Sequence, residues 1–178
     1  MEDNATLSRV HSLDPQALTV IHDRYFPVVY RYVRYRLDDE QLVEDITSEV
    51  FMRLLNTLHQ KRKKIQNIQG WLLGTASNLV HDHLRLKYQR KVENLDEHEN
   101  IPSSYSTEIS AEDAFNRSHV RQAFQKLTAD QQHVLALRFS QEFSLEETAQ
   151  VMEKSVNAVK VLQFRALSSL RRLLEERF

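Results

Sequence analysis

The sequence predicts an all-α protein built from two small helical domains joined by a flexible acidic linker. Three observations predict this. The 178 residues include only two Gly and three Pro, and apolar residues recur at helical spacing over long uninterrupted stretches. The segment Ser144 to Leu174 reads as a helix-turn-helix. A polar stretch that is purely acidic separates two mildly basic blocks. Residues 1–91 hold 14 Lys and Arg against 11 Asp and Glu, residues 92–116 hold none against 7, and residues 117–178 hold 10 against 7. The formal net charge of -1 hides this pattern, which suggests different partners for different parts of the chain.

Composition narrows the function classes. Hydrophobic content of 41% with 28% charged residues fits a packed soluble protein. With no Cys, neither a disulfide framework nor a thiolate metal site is available. No apolar run approaches the roughly 18 residues of a membrane span, and MEDNATLSRVHSLD does not read as a signal peptide. A cytoplasmic protein without membrane insertion is expected. Catalysis has little support: there is no phosphate-binding glycine loop and no Cys nucleophile. His81 and His83 lie about 200° apart on a helix, so they do not converge on one metal. No enzyme, cofactor or metal is expected.

Residues 1–13 are expected to be disordered. Asp14-Pro15 then gives an N-cap followed by Pro at the first helical position. The helix it starts passes through Leu18, Ile21, His22 and Tyr25. Pro27 either breaks it or opens a second helix carrying Val28, Val29, Tyr32, Val33 and Tyr35. Asp38-Asp39-Glu40 marks a turn and an acidic helix start. In the next helix, about Gln41 to Leu58, Leu42, Val43, Ile46, Val50, Leu54 and Leu58 face a core. Glu44, Asp45, Ser48, Glu49 and Met52 line another side, either an interaction surface or a solvated face. Lys61, Arg62, Lys63 and Lys64 form a basic loop, either a phosphate contact or a solvated turn. The last helix of this block, about Gly70 to Lys91, buries Trp71, Leu72, Thr75, Leu79 and Leu86. Its polar residues Asn78, Asp82 and Arg85 lie near a strongly basic end. Asn and Asp beside a basic loop can read an extruded base while cations hold the backbone.

The stretch 92–111 is polar and lacks helical periodicity, which reads as a linker. Few apolar residues occur in it, so the flanking domains are expected to move independently unless a partner clamps them. Residues 112–178 form the second domain. Ser144 and Glu147 make a capping box for a helix from about Leu145 to Met152. Ala149 is small where a second helix must cross closely. Ser155 caps a long helix to about Glu176. Val159, Leu162, Ala166, Leu170 and Leu173 form its core stripe. Asn157, Lys160, Val161, Phe164, Arg165 and Ser168 form the opposite stripe. Lys and Arg reach guanine edges or phosphates, Asn reaches adenine, and apolar groups meet thymine methyls, so this face suits a DNA major groove. The bland alternative is a helical hairpin whose Phe164 packs on a neighbour.

These pieces resemble the extracytoplasmic-function sigma factors, the small two-domain initiation factors of bacterial RNA polymerase in the sigma-70 family. The resemblance covers roughly residues 14–175. LTVIHDRYFPVVYRYVRYRL with VEDITSEVFMRLL is similar to region two, and GWLLGTASNLVHDHLR to the segment that opens and reads the -10 element. FQKLTADQQHVLALRFSQEFSLEETAQVMEKSVNAVKVLQFRALSSLRRLL is similar to region four. The resemblance implies a promoter-specific initiation factor, with region two at 14–91 and region four at 112–178. It implies that Glu44, Asp45, Ser48, Glu49 and Met52 dock on the clamp of the largest polymerase subunit. The -10 element would be met by Lys61, Arg62, Lys63, Lys64, Asn78, Asp82 and Arg85. The -35 element would be met by Ser155, Asn157, Lys160, Val161, Phe164, Arg165 and Ser168. Implied partners are core polymerase, including the flap of the second-largest subunit, promoter DNA and an anti-sigma factor. The linker would thread a basic channel built for RNA. Three departures stand out: Glu153 where Gly is frequent, Ser48 where Gln is common, and only a partial match at His81-Asp82-His83. The rival function is a helix-turn-helix regulator that never binds polymerase, which leaves the first block unexplained.

Overall fold

Helices account for nearly all of the computed structural model, which describes residues 4–60, 64–93 and 111–175. The expected linker falls almost wholly outside the described residues, as do Lys61, Arg62 and Lys63. The first half of the chain forms α1 (Asn4–His11), α2 (Pro15–Arg36), α3 (Glu40–Gln60) and α4 (Ile68–Glu93). The second half forms α5 (Ala111–Gln125), α6 (Ala129–Leu135), a π-helical turn (Ala136–Ser140), α7 (Leu145–Met152) and α8 (Val156–Glu175).

Residues 4–11 correct the expectation of disorder over 1–13. They form α1, whose Val10 is buried and whose Leu7 packs on the same core. The His11 ring bonds the Ile65 carbonyl at 3.0 Å, which ties α1 to the loop before α4. Leu13 turns the chain with φ 59, and Asp14 caps α2 by accepting from the Ala17 amide at 2.8 Å. Two apolar residues at the right spacing suffice to dock a two-turn helix once a neighbouring core exists. No local signal announces that core.

Pro27 neither ends α2 nor opens a new helix; it lies inside one of 22 residues. Its ring is on the exposed side, so solvent can serve the carbonyl that loses its amide partner. Across the helix, Ile21, Tyr25, Val29, Tyr32 and Val33 are buried and hold the helix against α3 and α4. Leu86, expected on the buried side of its helix, is instead 49% exposed. Ser77, in contrast, is buried where a polar face was expected to begin.

In the second half the helix-turn-helix follows the sequence closely. Ser144 and Glu147 make both bonds of the capping box, at 3.0 and 2.7 Å. Ser155 accepts from the Ala158 amide at 3.2 Å. Ala149, Val159 and Ala166 share one buried cluster, so the small residue does permit the crossing. Glu153 closes α7 in the left-handed region, φ 53 and ψ 40, and therefore carries the strain a Gly would avoid.

In the structure the two halves pack on each other. Ala136, Leu137 and Val151 belong to the same buried cluster as Val29, Val33, Leu72 and Val80. Burying side chains such as Leu137 and Val151 stabilises this docking by roughly 1.5–3 kcal/mol each. Beside them runs a buried polar network. The Arg36 guanidinium, 1% exposed, donates to the Tyr32 hydroxyl at 3.1 Å, to Ser77 Oγ at 3.2 Å and to Gln132 Oε1 at 2.6 Å. Gln132 donates in turn to the Gln125 and Leu127 carbonyls. Because Tyr32 accepts from Arg36, its own proton is directed to His133 Nδ1, 2.6 Å away. At the rim, Tyr35 meets Phe124 edge-on at 5.6 Å and Asp38 pairs with Arg121.

This network keeps His133 neutral. Burial lowers its pKa from 6.5 to about 4, helped by the Arg36 charge and less by Lys154, while Asp130 opposes. Below pH 6.5 the unfolded chain takes up a proton that the folded chain refuses. Stability is therefore full above pH 6.5 and falls as the pH drops towards 4, by ~2 kcal/mol at pH 5. Urea unfolding at pH 7.5 and pH 5 should show this loss, and His133→Gln should remove most of it. An equal pH dependence in the variant would exclude His133 as the source.

A second expectation concerns Glu153. Glu153→Gly relieves the left-handed backbone and should stabilise the protein by about 1 kcal/mol, read as a raised Tm.

Candidate partner and nucleic-acid interfaces

Three polar faces carry the candidate residues. On α3, Val43, Ile46, Thr47, Val50, Phe51, Leu54 and Leu58 are buried. The 3.6-residue period then turns Glu44, Asp45, Ser48, Glu49 and Met52 outward, and all five are exposed. Glu49 is held by Arg53 one turn on, at 2.8 Å. Met52, 54% exposed, adds an adaptable apolar contact to an otherwise acidic surface. Buried Thr47 donates to the Val43 carbonyl at 2.7 Å, so its hydroxyl is satisfied within its own helix.

The second face lies on α4. Burial of Leu72, Leu73, Ala76, Ser77 and Val80 leaves Asn78, His81, Asp82 and Arg85 exposed on the other side. Asp82 and Arg85 approach each other at 3.7 Å. Asn78 can donate and accept, which suits one base edge. Lys64 stands at the entrance to α4 and shares a cleft of about 720 Å³ with Trp71, Thr75, Asn78 and His81. Lys61, Arg62 and Lys63 lie outside the described residues, so the structure places only the end of the basic loop there. The opposite wall of the cleft comes from the second half of the chain: Asp130, Gln150, Met152, Glu153 and Lys154. Lys154 and Asp130 pair across that wall at 3.4 Å.

The third face is the outer side of α8. Val159 and Ala166 are fully buried, with Leu162, Leu170 and Leu173 packed against the same cluster. Asn157, Lys160, Val161, Phe164, Arg165 and Ser168 are all exposed, and Ser155 sits at the helix start. Phe164 is 72% exposed, so it does not pack on a neighbour as the helical-hairpin alternative requires. An apolar side chain left in water among cations is a contact surface in waiting.

Sequence reasoning found these faces but missed what joins them. Arg36, Ser77, Gln132 and His133 carry no local motif, and the Arg36–Gln132 bond spans 96 residues. One signal was present: Arg36 continues the buried stripe of Val29, Tyr32 and Val33, where a cation needs buried acceptors.

Residues 21–91 match the family model described as Sigma-70 region 2, and residues 123–172 the one described as Sigma-70, region 4. The chain is 34% identical over 174 residues to the ECF RNA polymerase sigma factor BldN of Streptomyces coelicolor, covering 96% of this chain and 65% of that protein. It thus spans just under two thirds of that relative's length. Two solved structures share the fold. CnrH in complex with the cytosolic domain of CnrY gives a TM-score of 0.63 at 19% identity, over 98% of this chain and 97% of that one. The sigma factor RpoE in complex with the anti-sigma factor NepR from Bartonella quintana gives 0.56 at 18%, over 88% and 96%.

Exposure of all three faces has a direct consequence. Phe164→Ala and Asn78→Ala should change folding stability by no more than about 0.5 kcal/mol, because neither side chain supports a core. Leu72→Ala, fully buried, should cost about 2–5 kcal/mol. Denaturant titration of the three variants checks the contrast.

Proposed function

Because the chain belongs to the extracytoplasmic-function sigma factors of the sigma-70 family, we propose that it directs core RNA polymerase to specific promoters by reading a -10 and a -35 element. The observation that carries this reading is the order of the two matched regions, each presenting the exposed face its role requires.

Core polymerase is met by α3. Asp45 and Glu49, one turn apart and both exposed, offer a negative surface to a basic partner, and Met52 supplies the apolar anchor. The clamp of the largest subunit is the proposed partner for this face, and the flap of the second-largest subunit for region four. The -10 element is read on α4. Asn78 takes an extruded base edge, with Asp82 and Arg85 alongside, while Lys64 and the preceding Lys61, Arg62 and Lys63 hold phosphates. The -35 element is read by α8 in the major groove. Arg165 and Lys160 supply cations, Asn157, Ser155 and Ser168 supply polar contacts, and Val161 and Phe164 meet thymine methyls. An anti-sigma factor is a proposed partner, since the sigma factor RpoE, a protein of the same fold, is in complex with one. No described helix is long and apolar enough to cross a membrane.

The decisive experiment is transcription by purified core polymerase on genomic DNA, with and without this protein, followed by mapping of RNA 5′ ends. New start sites that share two upstream elements support the reading; an unchanged profile removes it. Asp45→Lys with Glu49→Lys should lower core affinity at least tenfold in a titration while leaving Tm unchanged.

On the DNA side, Arg165→Ala should cost roughly 1–3 kcal/mol and relax preference at one -35 position. Lys160→Ala should weaken all sequences alike and lower the salt slope by about one. Binding to single-base variants of the mapped element, at several salt concentrations, separates the two.

A further inference from the structure

The stretch that enters α4 is held from two sides. On the α4 side, Asn67 Oδ1 accepts from the Gly70 amide at 2.8 Å, and the Asn67 carbonyl accepts from the Trp71 amide at 3.0 Å. A Cβ on Gly70 would lie 2.7 Å from Asn67 Nδ2, so this cap is fitted to a glycine three residues on. Ile65 and Ile68 anchor the same stretch in the core. The other side is held by α1. The Ile65 carbonyl lies outside any helix and needs a donor from elsewhere. His11 Nε2 supplies it at 3.0 Å, from 54 residues away. Helix α1 is itself fixed to the start of α2. Arg9 pairs with Asp14 at 3.1 Å, the Arg9 carbonyl accepts from the Asp14 amide at 3.0 Å, and Val10 is buried in the core. A chain of contacts thus runs from the α2 N-terminus through His11 to the residue next to Lys64.

Lys64 is exposed and lines the same cleft as Asn78. A lysine on a freely moving loop adds charge but no register. A lysine whose neighbour is pinned can set a phosphate at a fixed place relative to the Asn78 amide. Phosphate contacts position and base contacts specify, and the two cooperate only while the spacing between them is held. We propose that α1 positions the α4 face, with His11 as the positioning residue: by holding the Ile65 carbonyl it fixes Lys64 relative to Asn78 and sharpens the choice of base at one -10 position. His11 acts through Lys64 rather than by meeting the nucleic acid. The His11 bond is only partly buried, so its main contribution is placement rather than apolar burial. The inference rests on the reading of the Asn78 side as the -10 face.

The full chain is compared as wild type, His11→Ala, His11→Gln, Lys64→Ala, Asn78→Ala and the double variant His11→Ala with Lys64→Ala. His11→Gln keeps an N–H donor at similar reach. Amide exchange at Gly70 and Trp71 is read in the free chain. Each variant is then bound to core polymerase and titrated with promoter fragments whose -10 segment is single-stranded, one for each base at each position, at several salt concentrations. His11→Ala should speed exchange at both amides about fivefold. It should also lower discrimination about threefold at the position that Asn78→Ala relaxes, with core affinity, -35 preference and salt slope unchanged. His11→Gln should restore both. In the Lys64→Ala background, His11→Ala should have no further effect on discrimination. Unchanged exchange in His11→Ala would overturn the pinning. Faster exchange with unchanged discrimination, or an equal loss of preference at the -35 element, would make α1 a purely structural support and overturn the proposal. A full effect of His11→Ala in the Lys64→Ala background would overturn the route through Lys64. If Asn78→Ala also left every -10 preference intact, the -10 reading itself would fall, whereas an effect of Asn78→Ala alone would overturn the positioning by His11.

Discussion

A buried cation without a carboxylate governs how the two halves of this protein meet. Arg36 ends α2 inside the protein and finds only neutral acceptors, on Tyr32, Ser77 and Gln132. Taking a guanidinium out of water costs several kcal/mol, and hydrogen bonds to a charged group return roughly 1.5–3 kcal/mol each. Its Nε has no partner among the described residues. Without Gln132 the account would be worse, so the site calls for the second half of the chain. Equally, separating the halves gives Arg36 back to water. The docking is thus favoured by the apolar residues around it and held near balance by the charge inside it.

That balance separates two kinds of order. Within each half, apolar stripes at helical period leave little choice of packing, and an error costs a whole side-chain burial. Between the halves, a few apolar anchors and one polar network carry the contact. Domain interfaces of this kind open readily when a partner offers more. The neutral His133 fits this picture, because its Nδ1 must stay unprotonated to accept from Tyr32.

Much of the protein was legible in the sequence, for physical reasons that differ by element. The helix-turn-helix could be read to the residue because Ser144, Glu147 and Ser155 act on amides three residues away. The outward sets on α3 and α8 follow from periodicity alone. Legibility failed where a partner lay far along the chain. Helix α1 depends on a core built by α2 and α4. Pro27 was read as a punctuation mark, yet its exposed position lets the buried stripe on the other side carry α2 through it. Leu86 fits the period of α4 but extends beyond the neighbours that would cover it. The docking of the halves was least visible, since residues about 100 apart must meet before Arg36 has its acceptors.

If the chain reads two promoter elements, as proposed, distance along DNA makes the separation of the halves a geometric requirement. Elements centred about 25 base pairs apart lie about 85 Å apart on B-form DNA. A packed chain of this length is about 40 Å across. The packed arrangement cannot span two such elements, whatever the affinity of each face. The 17 residues between Glu93 and Ala111 can reach about 60 Å when extended, and the two halves supply the remainder. The same connector is long enough to let region four fold back over α4. Its length is thus compatible with both states, and the choice between them passes to the contacts at Arg36 and to the surface of any partner that competes for the two halves.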